Sequence, residues 1–215
     1  SRGWFVVVNE VMEQIRRHGI APDRITPSFL SLIRDEQTHE VIRDYAVQHL
    51  GQWINPRPDF PNAPFEEDPE SRRASVDEFI HLVQDPNLAH SSIPGTTLAV
   101  LSDLHSSASS EELGQFSFTK DLTPWLSKTI QGDLPVSEVT RISAVQFAGR
   151  QSISSLHPFV QGLAGEDKTS PTLRLNAIGA LGSMGNSEDI ALLQKLSQSQ
   201  TKFRFAASSA LKKLT

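Results

Sequence analysis

The stretch TTLAVLSDLHSS, residues 96–107, sets Asp103 and His105 two positions apart. A carboxylate and an imidazole so close together are ligand types of a dinuclear metal centre for hydrolysis. Such a centre needs further carboxylate, Asn and His ligands to hold two ions and a bridging hydroxide. His39-Glu40 is the next candidate pair, but it stands alone. The seven histidines (18, 39, 49, 81, 90, 105 and 157) include no His-x-x-x-His pair. Cysteine is absent, which excludes disulfides, thiolate metal sites and a Cys nucleophile. There is neither a Gly-x-Ser-x-Gly elbow nor a glycine loop of the phosphate-cradling kind. No catalytic, cofactor-binding or metal residue is therefore assigned, and no cofactor is expected.

Arginine offers a stronger pattern. VIRDYAVQHLG (41–51), VTRISAVQFAG (139–149), LRLNAIGALG (173–182) and KFRFAASSALK (202–212) align on Arg43, Arg141, Arg174 and Arg204. A small residue follows at +3, Leu or Ala at +7, and Gly at +8 in the first three. PGTTLAVLSDL (94–104) is a degenerate copy without the Arg. At about 100° per residue, positions 0, +3, +4 and +7 share one arc, so each Arg falls on the packed side of a helix. A guanidinium there calls for an acidic partner. Asp35 and Glu36 precede Arg43, Asp133 precedes Arg141, and Glu166 and Asp167 precede Arg174; Arg204 has no acid in 197–201.

The elements that would position these residues are helix pairs. Each motif follows another amphipathic segment: 27–33, 75–83, 124–130, 154–163 or 188–196. Thr26-Pro27, Thr123-Pro124 and Ser170-Pro171 each read as a capping hydroxyl before a first-turn proline, and Ser75 with Glu78 reads as a capping box. Gly182 and Gly185 read as the end of a helix. A recurring pair of helices is the signature of an α-α superhelix, in which stacking supplies the core. The expectation is a single all-α solenoid over 1–215 with about five pairs. An N-terminal capping helix covers 1–19, with Trp4, Phe5, Val8, Val11, Met12 and Ile15 at helical spacing. Repeats span 24–54, 74–105 (degenerate), 119–149, 153–183 and 186–215. A proline-rich acidic insertion at 55–73 and a serine-rich loop at 106–118 interrupt them.

These motif residues resemble HEAT repeats, especially the short HEAT-like kind of phycobilisome lyases. The resemblance implies a ladder of Asp and Arg between successive units, drawn here from Asp35, Asp133 and Asp167 with Arg43, Arg141 and Arg174. It also implies that second helices line a concave surface. The residues at +2, +5 and +9 then form its floor: Tyr45, Gln48, Gln52, Ser143, Gln146, Arg150, Asn176 and Ser183. That floor is polar and nearly uncharged, as suits a protein or peptide partner. The expected function is a non-enzymatic binding scaffold. Two alternatives come from other resemblances. The stretch at Asp103 and His105 resembles the first motif of calcineurin-like metallophosphoesterases, which implies a β-strand delivering both to a dinuclear centre, but the family's later motifs are missing: Gly132-Asp133 has no following acid, Gly185-Asn186 is followed by Ser187, and no later Gly-x-His occurs. The lyase likeness would imply a bilin-handling chaperone.

Charge and hydropathy set the remaining bounds. Of the net charge of −5, residues 55–78 hold −4, whereas residues 170–215 carry six bases against Glu188 and Asp189. Neither cluster is large enough to favour nucleic acid. No apolar run is long enough to cross a bilayer, so a soluble monomer without membrane insertion is expected. The lack of cysteine suits an extracytoplasmic location.

Overall fold

The computed structural model describes residues 2–20, 22–55, 69–107, 118–199 and 202–215. Expectations placed on 56–68 and 108–117, the bulk of the two interruptions, lie outside the described residues. Among the described residues there are eleven α-helices and no strand. In chain order they are α1 (Arg2–His18), α2 (Pro22–Arg34), α3 (Glu40–Ile54), α4 (Pro69–Gln84) and α5 (Ile93–Ser107). Then follow α6 (Phe118–Gln131), α7 (Glu138–Arg150), α8 (His157–Gly165), α9 (Pro171–Met184), α10 (Ile190–Gln198) and α11 (Arg204–Leu214). The all-α class is as the sequence implied.

The chain divides into two compact units, residues 1–110 and 111–215. In the first, α2 packs on α3 and α4 on α5, and the pairs meet first helix to first helix and second to second; α1 lies on α3. In the second, α6 pairs with α7, α8 with α9 and α10 with α11, while α7, α9 and α11 pack in succession.

Local chemistry explains most helix boundaries. Ser170 is the N-cap of α9, its Oγ accepting the Leu173 amide at 3.3 Å, with Pro171 in the first turn. Ser137 caps α7 in the same way at 3.1 Å from the Thr140 amide. Two other proline starts are corrected. Pro27 and Pro124 lie inside α2 and α6, which begin earlier. Burial drives the extra turn: Ile25, Phe118 and Leu122 are 2% exposed or less, and that apolar gain outweighs the proline's lost amide bond. Likewise Ser75 is no cap. It sits in the middle of α4, buried, with its hydroxyl donating to Ser71 O at 2.8 Å, and Glu78 instead accepts two bonds from Arg34 of α2.

Close approach of second helices is the dominant packing feature. Ala46, Ala144, Ala177 and Ala207, the +3 residues, are all fully buried. At +8, a Cβ on Gly51 would lie 2.4 Å from Val100 Cγ1 of α5. On Gly149 it would lie 2.9 Å from Ala180 Cα of α9, and on Gly182 2.8 Å from Ala210 Cα of α11. Gly182 is therefore a contact inside α9 and does not end it; Gly185 alone is the C-cap. The N-terminal helix also differs from expectation. Only Met12 of its six apolar positions is buried, whereas Trp4 and Val11 are 59% and 52% exposed.

Glycine substitutions should separate contact from mere occurrence. Gly149→Ala forces a backbone shift against Ala180 and should destabilise by about 1–3 kcal/mol. Gly179→Ala, where a Cβ meets nothing within 4 Å, should stabilise by roughly 0.5–1 kcal/mol. Urea melts of both variants give the two signs; a destabilised Gly179→Ala would contradict the assignment.

Candidate functional site

The recurring arginines do something other than the sequence suggested. Arg43 Nε donates to Ile33 O at 2.8 Å, Arg141 Nε and Nη2 to Ile130 O at 3.0 and 2.7 Å, and Arg174 Nε to Ala164 O at 2.9 Å. Each acceptor is the penultimate residue of the preceding first helix, and each Arg is the fourth residue of its second helix. The last four carbonyls of a helix have no intrahelical donor and carry the negative end of its dipole. A guanidinium reaching back from the next helix satisfies them. Arg72 of α4 makes the same bond to Ile54 O, the last residue of α3, at 3.0 Å.

The expected acid–arginine ladder is corrected accordingly. Only Arg174 gains its carboxylate, with Nη1 at 2.6 Å from Asp167 Oδ1 inside the same pair. Asp35 accepts from Thr38 Oγ1 and the Gln37 amide, and these bonds, with Arg43 nearby, hold its carboxyl below the ordinary range. Asp133 sits in a six-residue connection, 132–137, against five in 166–170, and it makes no ion pair with Arg141. Arg204 is the first residue of α11 and exposed, with no preceding turn from which to reach back.

Polar links found nowhere in the motif hold neighbouring elements together. Asp189 is fully buried; its Oδ2 meets His157 Nε2 at 2.7 Å and the Asn186 amide at 2.9 Å, and its Oδ1 accepts Gln161 Nε2 at 2.8 Å. With both oxygens committed, the His157–Asp189 pair is a bolt between α8 and the turn before α10. No sequence signal joins residues 32 apart. In the first unit, His49 of α3 is buried beneath α1, with Nε2 at 3.1 Å from Asn9 Oδ1 and Nδ1 at 3.5 Å from Glu13 Oε2. Burial pushes the imidazole down to about 4, and the nearby Arg16 adds to this against the pull of Glu13. Burial disfavours the Glu13 charge, but bonds from Arg16 and Arg17 outweigh it and lower that carboxyl.

The outward residues of the second helices divide by unit. Tyr45 and Gln48 are half-buried, and Gln48 Nε2 is held by Asp44 at 2.8 Å; Asp44 in turn accepts from Ser92, the residue before α5, and from Thr96 within it. Gln52 is exposed. In the second unit, Gln146, Arg150, Asn176 and Ser183 come together with Gly149, Leu175, Gly179 and Ala180 around a groove of about 240 Å³ between α7 and α9. Gln146 Nε2 donates to Asn176 Oδ1 across it at 2.7 Å. Ser143 is half-buried and does not line that groove. The sequence missed Leu175, an apolar residue that lines the groove and is 41% exposed; elsewhere on the second helices Val139 and Phe205 are 62% and 82% exposed.

Asp103 and His105 lie in α5, not on a strand. A helix turns positions two apart through about 200°, so the strand geometry of a shared centre is not available to them. Among the described residues no group of three or more His, Asp or Glu could hold a metal ion, and no helix is long and apolar enough to cross a membrane. No family model, curated protein or solved structure matches this chain.

Two measurements test this account. Arg174→Met, which strips donors from Ala164 O and Gly165 O, should destabilise by about 2–4 kcal/mol, whereas Asp167→Asn, at a site 97% exposed, should change stability by less than about 1 kcal/mol. Equal losses in chemical melts would restore the ion pair as the anchor. For His49, the folded value lies below the unfolded 6.5, so the unfolded chain binds more protons between those limits. Its contribution is complete above pH 6.5 and is lost as pH falls towards 4. Stability should fall over that window by on the order of 2 kcal/mol, and His49→Gln should flatten the profile.

Proposed function

We propose that this chain is a HEAT-like α-solenoid, not an enzyme, that binds a protein or peptide along the outward face of its second helices. In this reading the outward face is the concave floor. One observation supports it above the others: the recurring outward positions Gln146, Arg150, Asn176 and Ser183 share a single groove with exposed Leu175 and open Gly179. Apolar side chains set among uncharged amides and hydroxyls match the make-up of protein interfaces, where hydrogen bonds surround a desolvated centre. The scarcity of charge there argues against phosphate neutralisation as the source of affinity.

The experiment compares immobilised wild type with a Leu175→Asp/Gly179→Trp double variant as bait in extract of the native source. The Trp projects from an open position, since a Cβ at Gly179 has nothing within 4 Å, and its ring occludes the groove. A partner bound by wild type should be lost by the variant at unchanged helicity, and wild-type capture should depend only weakly on salt. Undiminished capture by the folded variant, or steep loss with salt, would remove the second-helix face from the binding surface.

A further inference from the structure

Arg141 and Arg174 are the same residue of the same motif, yet their surroundings differ. Arg174 spends its guanidinium fully: Nε on Ala164 O, Nη1 on Asp167, Nη2 on Gly165 O at 3.5 Å, and its face over the Phe203 ring at 4.7 Å. Arg141 spends Nε and Nη2 on Ile130 O, while among the described residues its Nη1 has no hydrogen-bond partner and no carboxylate pairs with it. In place of those partners stands a cavity of about 530 Å³, lined by Arg141, Pro158, Phe159, Gly162, Leu163 and, from the connection after α8, Glu166, Lys168 and Thr169. That volume is in the range of small-ligand sites, roughly 300–1,000 Å³.

We propose that this cavity binds a carboxylate carried on an apolar body, with Arg141 as the anion's donor and Pro158, Phe159 and Leu163 as the apolar wall. The neighbouring pair indicates the occupant, because the group that completes the equivalent guanidinium there is a carboxylate at 2.6 Å. Arg141 is also pre-positioned. Its two bonds to Ile130 O hold the planar fork still, so a ligand need not order it. Gly132, with φ of 86°, leaves the space in which the guanidinium lies; a Cβ there would come within 3.3 Å of Arg141 Cζ. Asp133 and Glu166 line the cavity too, against Arg141 and Lys168, and Lys168 Nζ already lies 3.5 Å from Glu166. With lining charges balanced, one added negative charge is accommodated better than a phosphate dianion. Two sources carry this chemistry, a free organic acid and the C-terminus of a peptide ending in an apolar residue.

The test titrates the full chain with 3-phenylpropionate, 3-phenylpropionamide, 3-phenylpropyl phosphate, and acetyl-Gly-Phe as acid and as amide, read by amide shifts of Gly162 and Thr169. The acids should bind about tenfold or more tightly than the matching amides, the loss expected for a charge-assisted bond. Saturation by phenylpropionate alone identifies a small acid, and tighter binding of the peptide acid identifies a chain terminus. Gly162→Leu puts an apolar side chain into the cavity from an open position, since a Cβ there meets nothing within 4 Å. It also removes a helix-interior glycine, so it should fold, and it should abolish the shifts. Equal binding of acid and amide, preference for the phosphate, binding that survives Gly162→Leu, or no saturable shift would each overturn the site.

Discussion

A helix that ends against another helix leaves carbonyls that water cannot reach, and this chain meets that constraint with arginine borrowed from the next helix. Ile33, Ile54, Ile130 and Ala164 all receive an Nε–H from a residue ten to eighteen positions later. The interaction joins two requirements in one side chain. It satisfies the orphan acceptors, and it fixes the distance and rotation between the helices that the short connections join. Lysine would not substitute, because its single flexible ammonium lacks the planar fork that lets Arg141 place two donors on one oxygen. Nor is a carboxylate required. The negative end of the helix dipole already favours a cation there, which is why Arg141 stays anchored without an acid while Arg174 adds one.

With the pairs α2–α3, α6–α7 and α8–α9 fixed internally by these arginines, spacing between second helices passes to the smallest residues. The second helices approach until the +8 glycine meets a backbone or a valine, and the +3 alanines are fully buried. Arg34 with Glu78, and Ser170 with Glu138, add side-chain links between successive pairs. The division of labour has a consequence for the exposed faces. Motif positions are consumed by anchoring and approach, and the exposed Leu175, Gly179 and Phe205 lie at positions outside the motif.

Much of this was legible because it is periodic. The pairs, their order and the burial of Arg174 and the +3 alanines follow from a helical arc recurring along the chain. What was not legible has identifiable causes. Pro27 and Pro124 look like helix starts because proline favours the first turn, but tertiary burial of Ile25, Phe118 and Leu122 extended the helices past them. The acids upstream of Arg43 and Arg141 looked like partners because sequence displays charges and conceals carbonyls. Gly182 looked like a terminator because glycine both ends helices and admits a neighbour, and only its distance to Ala210 decides between them. Of the outward set, Gln146, Arg150, Asn176 and Ser183 converge, whereas Tyr45 and Gln48 sit half-buried beside Asp44 and its bonds to α5, a link that spans about fifty residues and leaves no local trace.

Architecture speaks more loudly than function in this sequence for the same physical reason. An anchor made to a backbone carbonyl is indifferent to the side chains at the acceptor, so it recurs unchanged while its surroundings diverge. Arg141 and Arg174 make the same bond from the same position, yet one faces Asp167 and Phe203 and the other a cavity walled by Phe159 and Leu163. One extra residue in the 132–137 connection is associated with that difference. Distinct surroundings thus arise where the repeat is broken locally and its anchor is kept, which places the informative residues of this chain at departures from its motif.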